Sequence, residues 1–333
     1  MMSPTYSPGR TTDHTTGRAA AHSTDGVTLD DLFDRRLEFP DMGASRRFTR
    51  LVGIDEAKSR LTKLLGILVN PAGPKAWAAR HHPGASLLLD YVERRPPLVI
   101  LAGDVGTGKT ELAETVGDAV ARQEDIAVTL FPLSLATRGS GKVGEMTRLL
   151  SAAFDSTLEA AARLQRSSGK AAGAVILLVD EADALTQSRE SGQMHHEDRA
   201  GVNAFIRGVD RLAEKRVPAA VIMCTNRLSA IDPAVQRRAA DIFDFRRPND
   251  VQRRAVITAP LGEAGFTTND IDNVVQLTGS QKPGEVGFTF SDLTQRLLPT
   301  LVLDAYPDRP ITFARTVQLI RGMKPTPAFR DDV

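Results

Sequence analysis

Two clusters of residues in this chain could do chemistry, and each begins where an apolar run stops. The first is Gly103-Asp104-Val105-Gly106-Thr107-Gly108-Lys109-Thr110-Glu111, which follows Pro97-Leu98-Val99-Ile100-Leu101-Ala102. It fits the pattern G-x-x-x-x-G-K-[ST] with a strand-like run before it and helix-forming sequence after it, the setting that confirms such a match. Its glycines let backbone N–H groups converge on phosphate oxygens, and the helix that follows turns its positive end toward the same anion. Lys109 is placed to reach the β- and γ-phosphates of a nucleotide, and Thr110 to offer a hydroxyl to Mg²⁺. A turn that merely closed a strand–helix unit would not need Lys and Thr in register after its last glycine.

The second cluster is Asp180-Glu181-Ala182-Asp183, at the end of Ala174-Val175-Ile176-Leu177-Leu178-Val179. Asp180 suits the water shell of Mg²⁺. Glu181 suits a general base that positions an attacking water, because phosphoryl transfer needs alignment and charge stabilisation more than covalent chemistry. An Asp-Glu pair after a strand is, in isolation, a turn or a helix cap. Beside a phosphate loop it argues for hydrolysis. Asn226 closes the next apolar run, Ala219 to Thr225, where it can bond the γ-phosphate or the lytic water; taken alone it is only an Asn ending a strand.

These residues need a scaffold that brings several strand ends together. The runs Leu98–Ala102, Ile126–Leu133, Ala174–Val179, Ala219–Thr225 and Ile242–Phe245 are nearly all apolar, and they alternate with helical patterns such as Leu61, Leu64, Leu65 and Leu68, or Val202, Phe205, Ile206 and Val209. That alternation predicts an α/β fold with a parallel sheet of five strands covered on both faces. From Pro248 onward only helical patterns remain, which predicts a small helical unit over 248–333, after a large domain over 48–247. Residues 1–26 are rich in Ser, Thr, Gly and Pro and read as a disordered tail. A linker over 27–47 carries Leu29, Leu32, Phe33 and Leu37, an amphipathic set that could pack on the main domain or on a neighbouring subunit. Between Asn70 and Pro97, Trp77, Leu87 to Leu89 and Tyr91 predict partial burial. His81-His82 lack acidic or thiol neighbours and read as a solvated loop rather than a metal site.

The composition of the 333 residues, 41% hydrophobic and 25% charged, is that of a globular protein with a sizeable core. A net charge of +1 gives no overall electrostatic reason to expect nucleic acid or a membrane as partner. The single cysteine, Cys224, lies in an apolar run and reads as a buried thiol, which with the lack of a membrane-spanning or secretory pattern predicts a cytoplasmic setting.

Taken together, the chain resembles the AAA+ ATPases from about Arg47 to its end. Leu51 to Lys58 is similar to the family's entry segment, in which backbone around Val52, Gly53 and Ile54 borders the adenine. Gly103 to Thr110 matches Walker A, Val175 to Glu181 matches Walker B, and Asn226 stands at the sensor-1 position. Ile231 to Arg238 resembles the segment bearing the arginine finger, so that Arg237 or Arg238 would act on a neighbouring subunit's site. The resemblance implies the cofactors ATP and Mg²⁺, the metal held through Thr110 and Asp180. It also implies a small helical lid and a homo-oligomeric ring, usually a hexamer.

Within the family the chain is most similar to the pachytene-checkpoint ATPases that remodel HORMA-domain proteins, and to their bacterial relatives in cyclic-nucleotide anti-phage systems. Asp180 to Arg189, Asp198 to Leu212, Thr225-Asn226, Arg238 to Ile242 and Leu298 to Leu301 carry that likeness. It implies an ATP-driven remodeller with a HORMA-domain client and an associated nucleotidyltransferase. The short segment before the ATPase core leaves no room for the folded substrate-binding domain of the eukaryotic members. A nucleic-acid loader, an unfoldase with another client and a non-hydrolysing nucleotide switch are the rival readings. Two positions depart from the family. Lys142, before Val143-Gly144-Glu145, stands where remodellers place a pore-loop aromatic, which implies a more polar grip. Gly287 to Leu293 resembles the sensor-2 region without its arginine, and Arg296 would reach that place only if its helix were shifted.

Overall fold

The computed structural model describes residues 32, 33, 35–135, 144–167, 170–185 and 195–329. The proposed pore-loop residue Lys142, the stretch Thr186 to Arg189 and the tail over 1–26 lie outside these.

Strands β1 (Leu37–Phe39), β2 (Leu98–Gly103), β3 (Ala127–Ser134), β4 (Gly173–Asp180), β5 (Ala219–Thr225) and β6 (Ala239–Phe245) form one sheet in the order β1-β3-β4-β5-β2-β6. β2 through β6 pair in parallel, as the uninterrupted apolar runs predict. The sheet has six strands rather than five, because β1 adds an antiparallel edge with Leu37 opposite Leu130 and Phe39 opposite Val128. Just before it, Leu32 and Phe33 are buried, and the Phe33 ring stacks on Phe131 at 4.7 Å. The linker thus packs on its own domain.

The helices of the first half are α1 (Met42–Arg50), α2 (Asp55–Val69), α3 (Ala72–His81), α4 (Ser86–Glu93) and α5 (Lys109–Glu124). They continue as α6 (Glu145–Leu164), α7 (His195–Lys215) and α8 (Pro233–Gln236). Successive strand residues point to opposite faces, so β2 splits its apolar residues between two cores. Leu98, Ile100 and Ala102 join Leu150, Phe154 and Phe205 on one face. Val99 and Leu101 join Leu61, Leu65, Leu112 and Val116 on the other. Each fully buried Leu, Ile or Val in this arrangement contributes roughly 1.5–3 kcal/mol relative to exposure. On the first face α6 and α7 approach closely because Gly208 has no side chain: a Cβ there would overlap the Phe154 ring.

The stretch between Asn70 and Pro97 differs from the sequence expectation. It folds as α3 and α4, tied by Lys75 to Glu93 at 3.0 Å, and its large apolar residues face outward. Trp77 is 47% exposed, Leu87 76% and Tyr91 76%. Of the residues expected to be partly buried, Leu89 is half-buried, as is Val92 beside it, while Trp77, Leu87, Leu88 and Tyr91 are exposed, and α4 buries none of its residues fully.

After Pro248, α9 (Asp250–Glu263), α10 (Thr268–Leu277), a π-helical turn (Asp292–Leu297), α11 (Leu298–Ala305) and α12 (Phe313–Gly322) enclose a third core around Ile257, Val274, Leu293 and Leu297. Asn249 with Gln252, and Thr267 with Asp270, form capping boxes that start α9 and α10. This helical lid meets the sheet domain through Gln252, which donates to the Gly53 carbonyl at 2.6 Å, and through the Ser291 N–H, which donates to the Gly106 carbonyl at 3.0 Å.

Candidate active site

β2 stops at Gly103 because the chain must turn hard against β6. Gly103 has φ +142°, and a Cβ there would collide with the Phe245 carbonyl. Gly108, at φ +93°, adopts the left-handed conformation that begins α5, so the first turn of that helix points its N–H groups into the loop.

Lys109, 6% exposed, donates to the carbonyls of Gly103 and Asp104, both at 2.8 Å, and to Asn226 Oδ1 at 3.0 Å. Burial lowers its pKa, against the opposing pull of Cys224, Asp180, Asp183 and Asp104. The Thr110 hydroxyl donates to Asp180 Oδ1 at 3.4 Å, and the Glu181 N–H donates to the same oxygen at 2.9 Å. Burial raises the Asp180 carboxyl, outweighing those two bonds. A cation and an anion, each held out of water and shifted toward neutrality, suit a place where a polyanion with its metal supplies the missing counter-charges. Glu181 is exposed and sits at φ +54°, a left-handed conformation that a non-glycine residue adopts at a cost of about 1–3 kcal/mol.

These residues line a cavity of about 890 Å³ together with Leu51, Val52, Ile54, Val105, Gly106, Thr107, Glu111, Asn226 and, from the lid, Phe290, Ser291, Thr294 and Gln295. The lining includes Cys224, whose thiol burial pushes well above its ordinary range. The cavity lies at the C-terminal ends of β2, β4 and β5, where open parallel sheets bind ligands. A second hollow of about 690 Å³, near Ile126, Ala127 and Ala172, lies at the opposite ends of the strands and contains none of these groups.

The family model for the ATPase family associated with various cellular activities (AAA) matches residues 99–247, which span the phosphate loop, the acidic pair and Asn226. Over 304 residues the chain is 61% identical to CD-NTase-associated protein 6 of Escherichia coli (strain MS 115-1), covering 91% of this chain and 98% of that one. The chain is an AAA ATPase. Among solved structures, it is similar to a chain of the E. coli MS115-1 HORMA:CdnC:Trip13 complex, with 60% identity, a TM-score of 0.83, and 91% and 99% of the two chains covered. Rhizobiales Trip13 matches with 53% identity and a TM-score of 0.70, over 89% and 99% of the chains.

In this AAA ATPase the sequence-derived residues separate into two places. Val52, Ile54, Val105 to Glu111, Asp180, Glu181 and Asn226 come together around the cavity, whereas Gly53 gives its carbonyl to Gln252 and Gly103 and Asp104 give theirs to Lys109 rather than a lining surface. Arg237 and Arg238 do not line it. Arg237 is exposed on the turn after α8, whereas Arg238 holds Asp210 with two bonds, at 2.8 and 3.1 Å. Arg296 is also turned away: it donates to Asp292 at 2.5 Å and to the Lys324 carbonyl at 3.2 Å. The lid side of the cavity is lined by Val256, Phe290, Ser291, Thr294 and Gln295, with no arginine among them.

Three functional contributions escaped the sequence reading. Asp183 accepts hydrogen bonds from the Thr225 hydroxyl and from the N–H groups of Asn226, at 3.1 Å, and Arg227, at 3.3 Å. From a 3₁₀ turn just after Asp180 it holds the turn that carries Asn226, whose Oδ1 accepts from Lys109. Arg47 and Arg50, from α1, line the cavity on the side of Glu111 and Glu114, a contact between distant segments that no local pattern encodes.

Proposed function

We propose that this AAA ATPase is an ATP-driven remodeller of HORMA-domain protein complexes, working as a ring in which neighbouring subunits share each ATP site. The convergence of Lys109, Thr110, Asp180, Glu181 and Asn226 on one cavity carries the hydrolytic reading. The client is supported by 61% identity to CD-NTase-associated protein 6 and by the likeness to a chain that forms a complex with HORMA and CdnC. CdnC-like nucleotidyltransferase is then the partner whose activity the client controls. The cavity between the sheet and lid cores supports domains over 48–247 and 248–333.

Lys109 leaves the carbonyls of Gly103 and Asp104 to hold the β- and γ-phosphate oxygens, while Asn226 keeps its ammonium aligned. The Thr110 hydroxyl and the Asp180 carboxylate would hold Mg²⁺, which would supply positive charge against the negative charge of the phosphates. That sparse set fits a metal that keeps waters and phosphate oxygens as its remaining ligands, and no group of three or more His, Cys, Asp or Glu residues is gathered among the described residues. Glu181 orients a water and takes its proton as the phosphoryl group is attacked. Arg237 of one subunit reaches the γ-phosphate of the next; Arg238, committed to Asp210, is the less available of the pair.

The test is to incubate the purified chain with ATP and a HORMA-domain protein, such as that of the E. coli MS115-1 complex, bound to its closure peptide. Peptide release by wild type, and a trapped HORMA complex with Glu181→Gln, are the expected results. Neither release nor trapping would remove the HORMA assignment and leave an AAA ATPase with another client.

A further inference from the structure

The phosphate loop carries a carboxylate in an unfavourable place. Asp104 directly follows Gly103 at the start of the phosphate loop, where a negative charge left unbalanced would disfavour a polyanion. An aspartate that served only its own turn would need only the Val105 N–H, which it does accept, at 2.8 Å. Two further bonds come from the far end of the chain. Asp104 Oδ2 accepts from Arg247 Nε at 2.6 Å, and Oδ1 accepts from the Phe329 N–H at 3.2 Å.

Both donors belong to connections that control the lid. Arg247, its side chain 13% exposed, lies in the segment between β6 and α9, and its Nη1 donates to the lid carbonyl of Gly287 at 2.8 Å. Four residues later the Ser291 N–H meets the Gly106 carbonyl, so the two bonds tie down the stretch 287–291, whose last two residues, Phe290 and Ser291, begin the cavity's lid wall. Phe329 ends the extended stretch after α12; its ring lies under the Arg227 guanidinium, 5.6 Å from the centroid. Within that stretch Thr326 donates twice to Asp292 of the lid, at 3.0 and 2.7 Å. The stretch therefore runs as a strap from the lid to the phosphate loop.

We propose that Asp104 is a positioning residue whose carboxylate latches the lid and the strap over 323–329 onto the phosphate loop, setting how firmly the lid closes over nucleotide. This rests on the nucleotide-binding reading of the cavity. The latch and a purely electrostatic role predict opposite signs. Removing a negative charge beside a polyanion should tighten binding, whereas releasing the lid should weaken it.

The experiment uses the full chain and two measurements: amide hydrogen exchange at Ser291 without nucleotide, and titration with a fluorescent ATP analogue. Asp104→Ala should speed Ser291 exchange and weaken the analogue's affinity, each about fivefold or more. Phe329→Pro, which deletes the N–H at an exposed chain segment and leaves the cores untouched, should act in the same direction. Phe329→Ala, which keeps the N–H, should do less. Once Asp104 is alanine, adding Phe329→Pro should change the two measurements no more than adding Phe329→Ala does, because the shared hydrogen bond is already cut and both substitutions lose only the ring on Arg227. Unchanged Ser291 exchange in both variants, tighter analogue binding by Asp104→Ala, or additive effects in the double variant would each overturn the latch. If wild type does not bind the analogue, the nucleotide reading fails, and Ser291 exchange still decides whether Asp104 holds the lid.

Discussion

Lys109 and Glu181 line the same cavity, and their environments suit them to separate tasks. Lys109 is buried with its ammonium bonded to two carbonyls and Asn226, a preformed socket for phosphate oxygens. Glu181 is exposed at the end of β4, placed to meet water. Lys109→Ala should therefore abolish binding of nucleotide, while Glu181→Gln should bind ATP normally and lose turnover by about 100-fold or more. Equilibrium binding and phosphate release separate the two effects, and near-normal turnover in Glu181→Gln would remove it as the base. At this scale the sequence was most legible. The spacing of Gly103, Gly108, Lys109 and Thr110 reflects local backbone geometry, which a short pattern captures. The Asp183 bonds to the turn at Thr225 and Asn226 join segments more than forty residues apart, and no local pattern carries that information.

At the scale of elements, Asp292 shows how a buried carboxylate organises the lid. Its side chain is 0% exposed, and it accepts from the N–H groups of Thr289 and Thr326, from the Thr326 hydroxyl and from Arg296. Burial by itself would raise its carboxyl; those hydrogen bonds outweigh burial and hold it below the usual carboxylate range. A depressed folded value means that the stabilisation is fully present above the unfolded value, about 3.9, and is lost as pH falls through the folded one. Asp292→Asn should lower lid stability by about 2–4 kcal/mol at pH 7, read from amide exchange at Thr289 and Thr326. It should also remove this site's share of the acid loss below pH about 4. Parallel pH curves for the two proteins would contradict the assignment. Elements differ in how plainly the sequence announces them. β2, β4 and β5 are unbroken apolar runs with a motif at each end, so both their existence and their direction could be read. β1 is three residues of mixed polarity preceded by the buried Leu32 and Phe33, and α3, which contains Pro74, is separated from α4 by His82-Pro83, and the two helices bury little.

For the whole molecule, the placement of Arg237 away from its own chain's cavity bears on assembly. In a ring with shared sites, Arg237→Ala should cut hydrolysis by about 1,000-fold while ATP affinity stays within a few-fold, since an arginine finger acts on transition-state charge. Mixing this variant with Glu181→Gln should recover part of the activity, because some interfaces then combine an intact base with an intact finger. A monomer that hydrolyses ATP at the full rate, checked by light scattering alongside the assay, would rule out the shared site. The large domain and the lid were legible as a change from alternating strands and helices to helices alone. Their joint was not: Gln252 on Gly53, Ser291 on Gly106 and Arg247 on Asp104 are meetings of residues distant in the chain.

The chain's single thiol, Cys224, is 1% exposed on β5 and is one of the residues at the cavity's edge. An alkylating reagent can reach it only while β5 and its cover are parted, and the raised thiol pKa keeps intrinsic reactivity low near neutral pH. The labelling rate of the native protein is therefore an internal clock for openings of the sheet beneath the phosphates. ATP should slow that clock in Glu181→Gln in proportion to occupancy, and leave it unchanged in Lys109→Ala. Equal slowing in both variants would mean that the thiol is guarded by something other than a filled phosphate loop.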